Sequence, residues 1–189
     1  MHTAEAHLKS VSSYSQSKYI DPIEHPKLDK EIPRDYEARL WRERCHYDAD
    51  GITFIPPMAF KNCIAEAAKY LSIQIPGKGK STYTKHFESG LLVVEPLPLG
   101  VHKDEVESEW LFVPSDGKPG GGRRVPKCFP LWREWEGNVT YHVFDDTITK
   151  SVFLDHLQQA GQFIGIGRFR PRNRGFYGRF EIVGEIKWS

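Results

Sequence analysis

Gly161-Gln162-Phe163-Ile164-Gly165-Ile166-Gly167-Arg168-Phe169-Arg170-Pro171-Arg172-Asn173-Arg174-Gly175-Phe176-Tyr177-Gly178-Arg179-Phe180 holds five glycines and five arginines and not one carboxylate. Its first glycine ends a helical pattern and its last residues open a β-pattern, Tyr177 to Ile186, so the chain closes as helix, long glycine-rich loop, strand. Glycine lets backbone N–H groups come close to a ligand, and arginine offers planar, permanently charged forks. Such a mix suits phosphate oxygens. The stretch reads as a nucleic-acid loop, with Gly165, Gly167 and Arg168 at its start, Arg170, Arg172 and Arg174 in its middle, and Tyr177 and Arg179 at its end.

Working outward, Val152, Phe153 and Leu157 line one face of the helix before this loop, capped by Asp145 or Thr149. Val139 to Phe144 precedes it as a strand, and Gly90 to Glu95 is another, through Leu91, Leu92, Val93 and Val94. A helix over about Pro57 to Leu71 is marked by proline in its first turn and by the apolar face of Met58, Ile64, Ala65, Ala68 and Leu71. A first strand falls within His7 to Tyr14, and a short helix spans Asp35 to Arg44. The order strand, helix, strand, strand, helix, strand predicts an α+β fold: the ferredoxin-like, RRM-like βαββαβ arrangement with an antiparallel sheet under two helices. A mixed sheet counting Gly51 to Ile55 as a full strand is the alternative. The 189 residues make one domain, with large insertions at about 15–50 and 97–137, the second reading as irregular and long enough to be functional.

The net charge is +1, so a polyanion must be met by local segregation of charge. Lys78, Lys80 and Lys85 precede an acidic run from Glu95 to Glu109, and Lys118, Arg123, Arg124 and Lys127 follow it. Gly77-Lys78-Gly79-Lys80-Ser81 approaches a P-loop, but Gln74 stands where its first glycine belongs, which rules out that mode of ATP binding. The lysines, with His86, read as a second wall of a groove, or as a mobile basic loop. Gly117 to Val125 reads as a thumb that orders on binding, or as a plain flexible loop.

Cys45, Cys63 and Cys128 are odd in number and widely spaced, which gives neither a disulfide framework nor a zinc pair and points to a reducing cytoplasm. No apolar leader and no membrane-length apolar run is present, and Asn138-Val139-Thr140 is then a chance sequon. Neither cofactor nor metal is expected. His46 and His86 are the candidate acid–base groups, and Asp48 and Asp50 are candidates for assisting cleavage, against the plainer reading of Asp48-Ala49-Asp50-Gly51 as a polar turn.

Two motifs carry a resemblance. Phe54-Ile55-Pro56-Pro57-Met58-Ala59-Phe60-Lys61-Asn62 is similar to the Ile-Pro-Gly-x-x-Leu-Lys-Gly helix opening of the RAMP superfamily (repeat-associated mysterious proteins). Gly165-Ile166-Gly167 with Gly175-Phe176-Tyr177-Gly178-Arg179-Phe180 resembles that family's glycine-rich loop before the last strand. Pro57 and Asn62 depart from the glycines of the pattern, as does the long arginine insert, which suggests a distant, phage-borne or divergent branch. The resemblance implies a backbone-type subunit of a CRISPR-like ribonucleoprotein. Its partners would be single-stranded RNA, with single-stranded DNA left open, and copies of itself or other effector-complex subunits. It places Lys61 and Asn62 beside the arginine loop at a phosphate. Two alternatives stand beside it: a metal-independent endoribonuclease that processes guides, and a backbone-subunit mimic acting as an interaction or anti-defence protein.

Overall fold

Alternating small residues start the chain in a strand. In β1 (His2–Ser10), Ala4, Ala6 and Leu8 are fully buried and their neighbours face outward. The structure, a computed structural model, describes residues 1–115 and 122–189. It pairs β1 over eight positions with β8 (Glu136–Val143), antiparallel. On the far side of β8 lies β4 (Leu91–Leu92), and on the far side of β1 lie β9 (Phe180–Ile182) and β10 (Lys187–Trp188), all antiparallel. The polar opening of the chain is thus sheet rather than leader to it, and the expected strand at His7 to Tyr14 shifts toward the N-terminus. The expected last strand is split in two at Val183 to Ile186, where Gly184 takes a positive φ.

One face of this sheet is covered by α2 (Pro57–Leu71) and α4 (Lys150–Gln159). Phe60, Cys63, Ile64, Ala67 and Ala68 of α2 and Phe153 and Leu157 of α4 join Ala4, Leu8, Val139, Tyr141 and Val143 in one core. Tyr141 meets Phe153 edge to face at 5.1 Å. Thr149 caps α4 by accepting from the Val152 N–H at 3.4 Å. A short helix, α3 (Thr84–Ser89), follows α2 and has no counterpart in the expected order. No helix among the described residues is long and apolar enough to cross a membrane.

The two insertions are ordered differently from expectation. The first carries β2 (Tyr14–Ser15) and α1 (Pro33–Leu40), with a 3-10 turn, Trp41–Arg44, in place of the helix's last residues. The second is not irregular. It holds β5 (Leu97–His102), which pairs with β3 (Ile52–Ile55), and a hairpin of β6 (Glu107–Pro114) and β7 (Arg124–Trp132) in continuous register. Pro126 and Pro130 read as strand breakers, yet they share the parity of Cys128, whose N–H points away from β6 and donates to Glu37 of α1 at 3.1 Å. Prolines on that side cost no ladder bond. The thumb expected at Gly117 to Val125 lies, over Gly117 to Gly121, outside the described residues.

Candidate nucleic-acid interface

The glycine-rich stretch packs on its own chain. A π-helical turn, Ala160–Ile164, ends α4, and a 3-10 turn, Pro171–Asn173, sits in mid-loop. Gly167 has φ +78°, and a Cβ there would meet the Ser15 carbonyl at 2.4 Å. At Gly178 a Cβ would strike the Ile166 carbonyl at 1.9 Å. The loop's N–H groups are used likewise: Arg168 donates to the Ser15 carbonyl at 2.8 Å, Ile166 to Gly178 at 3.0 Å and Gly178 to Ser13 at 2.8 Å. The close approaches that glycine permits here are to β2 and to the loop itself, which corrects the expectation that Gly165 and its neighbours are kept for a ligand.

Three of the arginines are tied to carboxylates. Arg170 Nη2 donates to Glu66 Oε2 at 2.7 Å, and Arg172 Nε lies 3.2 Å from Glu66 Oε1. Arg168 Nη2 lies 3.6 Å from Glu109 Oε2, and the same carboxylate accepts from the Tyr177 hydroxyl. Tyr177 is therefore buried and engaged rather than free to stack. Arg179 Nε donates to the Gln162 carbonyl at 3.1 Å, and Arg174 is exposed at a positive φ.

Beside this loop a cleft of about 270 Å³ opens at the entrance of α2. Tyr14, Gln16, Ser17, His46, Pro56, Ala59, Gly167 and Arg168 line it. Gln16 is 2% exposed and holds the corner: its Nε2 donates to the Phe54 carbonyl at 2.7 Å and its Oε1 accepts the His46 N–H at 2.7 Å. No side chain caps α2, so the positive end of the helix dipole faces this corner. Burial, with the charge of Lys18 behind it, lowers the His46 pKa and keeps the imidazole neutral.

Arg168 is the charged wall. Its guanidinium stacks 3.8 Å from the Phe129 ring centre and its Nε donates to Ser15 Oγ at 3.1 Å. Burial lowers its pKa against the pull of Tyr177 and Glu109. Its Nη2 is buried with no hydrogen-bond partner among the described residues. Its counter-charge is the Glu109 carboxylate, 3.6 Å away.

Through Ser17 the cleft continues into a groove of about 420 Å³ that Lys18, Arg44 and Lys127 line. Arg44 shares the Phe129 ring with Arg168, at 5.3 Å. Glu37, 2% exposed, accepts from Arg44 Nη2 at 2.7 Å and from Lys127 Nζ at 2.9 Å, so two cations share one carboxylate and a positive excess remains. Beyond Lys18 the lining turns acidic at Asp21, Glu24 and Glu43, and the cationic track ends.

The other expected residues lie elsewhere. Lys61 donates to the Glu88 carbonyl at 2.8 Å, on the α3 side of α2. Glu66, five residues on, is about 140° around the helix and faces the loop, so Lys61 does not join the arginines. Asn62 is exposed. Lys78 and Lys80 follow the far end of α2, about 22 Å from its entrance, and Lys85 is exposed on α3, so they make no second wall of this cleft. Arg123 and Arg124 are exposed at the end of the hairpin. His86 Nδ1 is 2.6 Å from Asp145 Oδ2. Burial raises the Asp145 pKa, but the bonds from His86 and from the Thr147 N–H outweigh it and hold the carboxyl below its usual range. Asp48 Oδ1 accepts the N–H groups of Asp50 and Ile52, which makes the Asp-Ala-Asp-Gly segment a turn. Gln16, Ser17, Lys18, Arg44 and Lys127 were not singled out for this site. Only Lys127 carried a signal, as a member of a basic cluster.

No family model matches the chain, and no curated protein does. The crystal structure of Cmr6 from Pyrococcus furiosus matches 97% of this chain and 99% of its own, with a TM-score of 0.50 and 13% identity. A chain in the cryo-EM structure of the type III-B Cmr-beta bound to cognate target RNA matches 99% of this chain and 60% of its own, with a TM-score of 0.52 and 9% identity. At these identities the likeness is one of fold: the chain shares its fold with Cmr6 and with that chain of Cmr-beta.

Proposed function

We propose that this chain is a ferredoxin-like RAMP subunit that grips the backbone of single-stranded RNA in a cytoplasmic CRISPR-type ribonucleoprotein. The observation that carries the reading is the cleft at the uncapped start of α2, with Gly167 and the Arg168 guanidinium in its lining and a groove of lysine and arginine beside it. The positive end of α2, an arginine fork and the Lys18, Arg44 and Lys127 wall supply charge and donors along one track, which is what phosphates require. Contacts to phosphate carry no sequence information, so binding is expected to be indifferent to sequence. The fold shared with Cmr6 and with a chain of an RNA-bound Cmr assembly supports RNA, and neighbouring effector subunits, as partners.

Purification from the host followed by sequencing of the co-purified nucleic acid tests the reading. RNA of set length is expected; absence of any nucleic acid, together with no binding of single-stranded RNA in vitro, overturns it. In a salt titration of RNA binding, Lys18→Ala should reduce the slope of log K against log salt by about 0.7, the counterion release per phosphate contact on a single strand.

A second reading, metal-independent cleavage, is favoured by one feature. His46 lines the cleft with its imidazole held neutral, as a general base must be. Cleavage of bound RNA in the presence of a chelator, abolished by His46→Ala, would establish it.

A further inference from the structure

At the opposite end of α2 the molecule exposes two aromatic rings for which its own packing gives no use. Tyr70 is 52% exposed and Phe163 48%. They stand with ring centres 6.2 Å apart and a 35° tilt, at the mouth of a notch of about 230 Å³ completed by Pro171, Arg172 and Arg179. The backbone is shaped to put Phe163 there. The π-helical turn, closed by the Gly165 N–H on the Ala160 carbonyl at 2.9 Å, inserts one residue into the helix end. Such turns are rare in proteins and recur at functional positions. Gly161 makes it possible, because a Cβ there would lie 2.1 Å from the Phe180 carbonyl.

The two arginines face the rings from the loop. The Arg172 guanidinium lies 5.3 Å from the Tyr70 ring centre and is 45% exposed. Arg179 is held only through Nε, by the Gln162 carbonyl, and meets no carboxylate among the described residues. The notch's one nearby acid, Glu66, is shared between Arg170 and Arg172. Flat apolar faces next to guanidinium groups with free N–H donors match a planar base joined to an anionic linkage. An apolar peptide would gain little from the arginines, and the two rings are too small a patch to hold it alone.

We propose that Tyr70 and Phe163, with Arg172 and Arg179, form a stacking site for an unpaired base of single-stranded RNA, separate from the cleft at the helix entrance. Tyr70 is about 16 Å along the helix from Ala59, so the two sites contact different nucleotides of one strand. The proposal rests on the RNA-binding reading for its ligand, but on different residues.

Photo-crosslinking of the full chain with single-stranded RNA carrying 4-thiouridine, read by mass spectrometry, tests it. Adducts on the peptides holding Tyr70 or Phe163 are expected. Adducts confined to the peptides holding Ser17 or Arg168 overturn this site and leave the cleft standing. Adducts at Tyr70 or Phe163 alone keep this site and sink the cleft, and none anywhere sinks both. The variant Tyr70→Leu/Phe163→Leu should bind RNA about 10-fold more weakly with an unchanged salt slope, since stacking releases no counterions. Unchanged affinity, with loss of a co-purifying protein instead, would assign the patch to a protein partner and overturn the proposal.

Discussion

The glycine–arginine loop and the groove wall beside α1 invert each other. The loop, from Gly161 to Phe180, concentrates its charge in sequence, yet its glycines admit the chain's own carbonyls and three of its arginines brace Glu66 and Glu109. The wall gathers Lys18, Arg44 and Lys127 from three distant segments, of which only Lys127 belongs to a basic cluster in sequence, and it pins Arg44 and Lys127 on the single carboxylate of Glu37. A run of like charges along a chain is a demand for counter-charges as much as an offer to a ligand. Charge assembled by tertiary structure meets the same demand with one acid, Glu37, between Arg44 and Lys127, and leaves Lys18 in excess at the groove.

The largest test of this contrast is Glu37→Ala. It would strand Arg44, Lys127 and the Cys128 N–H around a buried hole, a loss of about 3–5 kcal/mol. At about 2–4 °C per kcal/mol for a chain of this size, thermal unfolding should fall by roughly 10 °C. A drop no larger than that of an exposed substitution such as Arg174→Ala would mean the wall does not depend on its carboxylate. Next comes Glu109→Gln, which removes the charge facing a mostly buried Arg168 and should cost about 1–3 kcal/mol. Arg168→Ala should be destabilising as well, because its guanidinium packs on Phe129 and its Nε is bonded to Ser15 Oγ.

Smaller still, Lys18→Ala should leave unfolding within about 0.5 kcal/mol of the parent while weakening RNA binding, since an exposed lysine carries little stability. Equal losses of binding in Lys18→Ala and Lys78→Ala would erase the distinction between wall and far loop. The smallest effect is in pH. Burial lowers the His46 pKa in the folded state, so unfolding takes up a proton below about pH 6.5. Stability is therefore full above that pH and lost as pH falls through the folded value, and His46→Phe should flatten the decline between neutrality and pH about 5. No histidine stands in the loop, so its arginine pairs should not contribute to that slope.

The legible parts of the fold were those with one dominant signal. Pro56-Pro57 and the apolar face behind them identified α2, and Thr149 was one of two caps, with Asp145, that the sequence offered for α4. β1 was half hidden because Ala4 and Ala6 bury small side chains without looking like a strand. The hairpin was missed because Pro126 and Pro130 look like interruptions, and only the direction of their missing N–H groups makes them harmless. At the site, Gly167, Arg168 and His46 were named from sequence and do line the cleft. Gln16 was not, since a lone glutamine in a serine-rich run gives no hint of three buried hydrogen bonds.

The parity of those prolines also governs what may be added to the hairpin. Where a further strand would look for rungs along β7 it would find Pro126 and Pro130 with nothing to donate and Cys128 already occupied by Glu37. That margin is already taken by β2 at Leu131 and Trp132 and offers no rungs from Pro130 to Pro126. Growth by shared sheet is left to the outer margin of β6, where Trp110 and Phe112 stand exposed, so any such assembly would have a built-in direction.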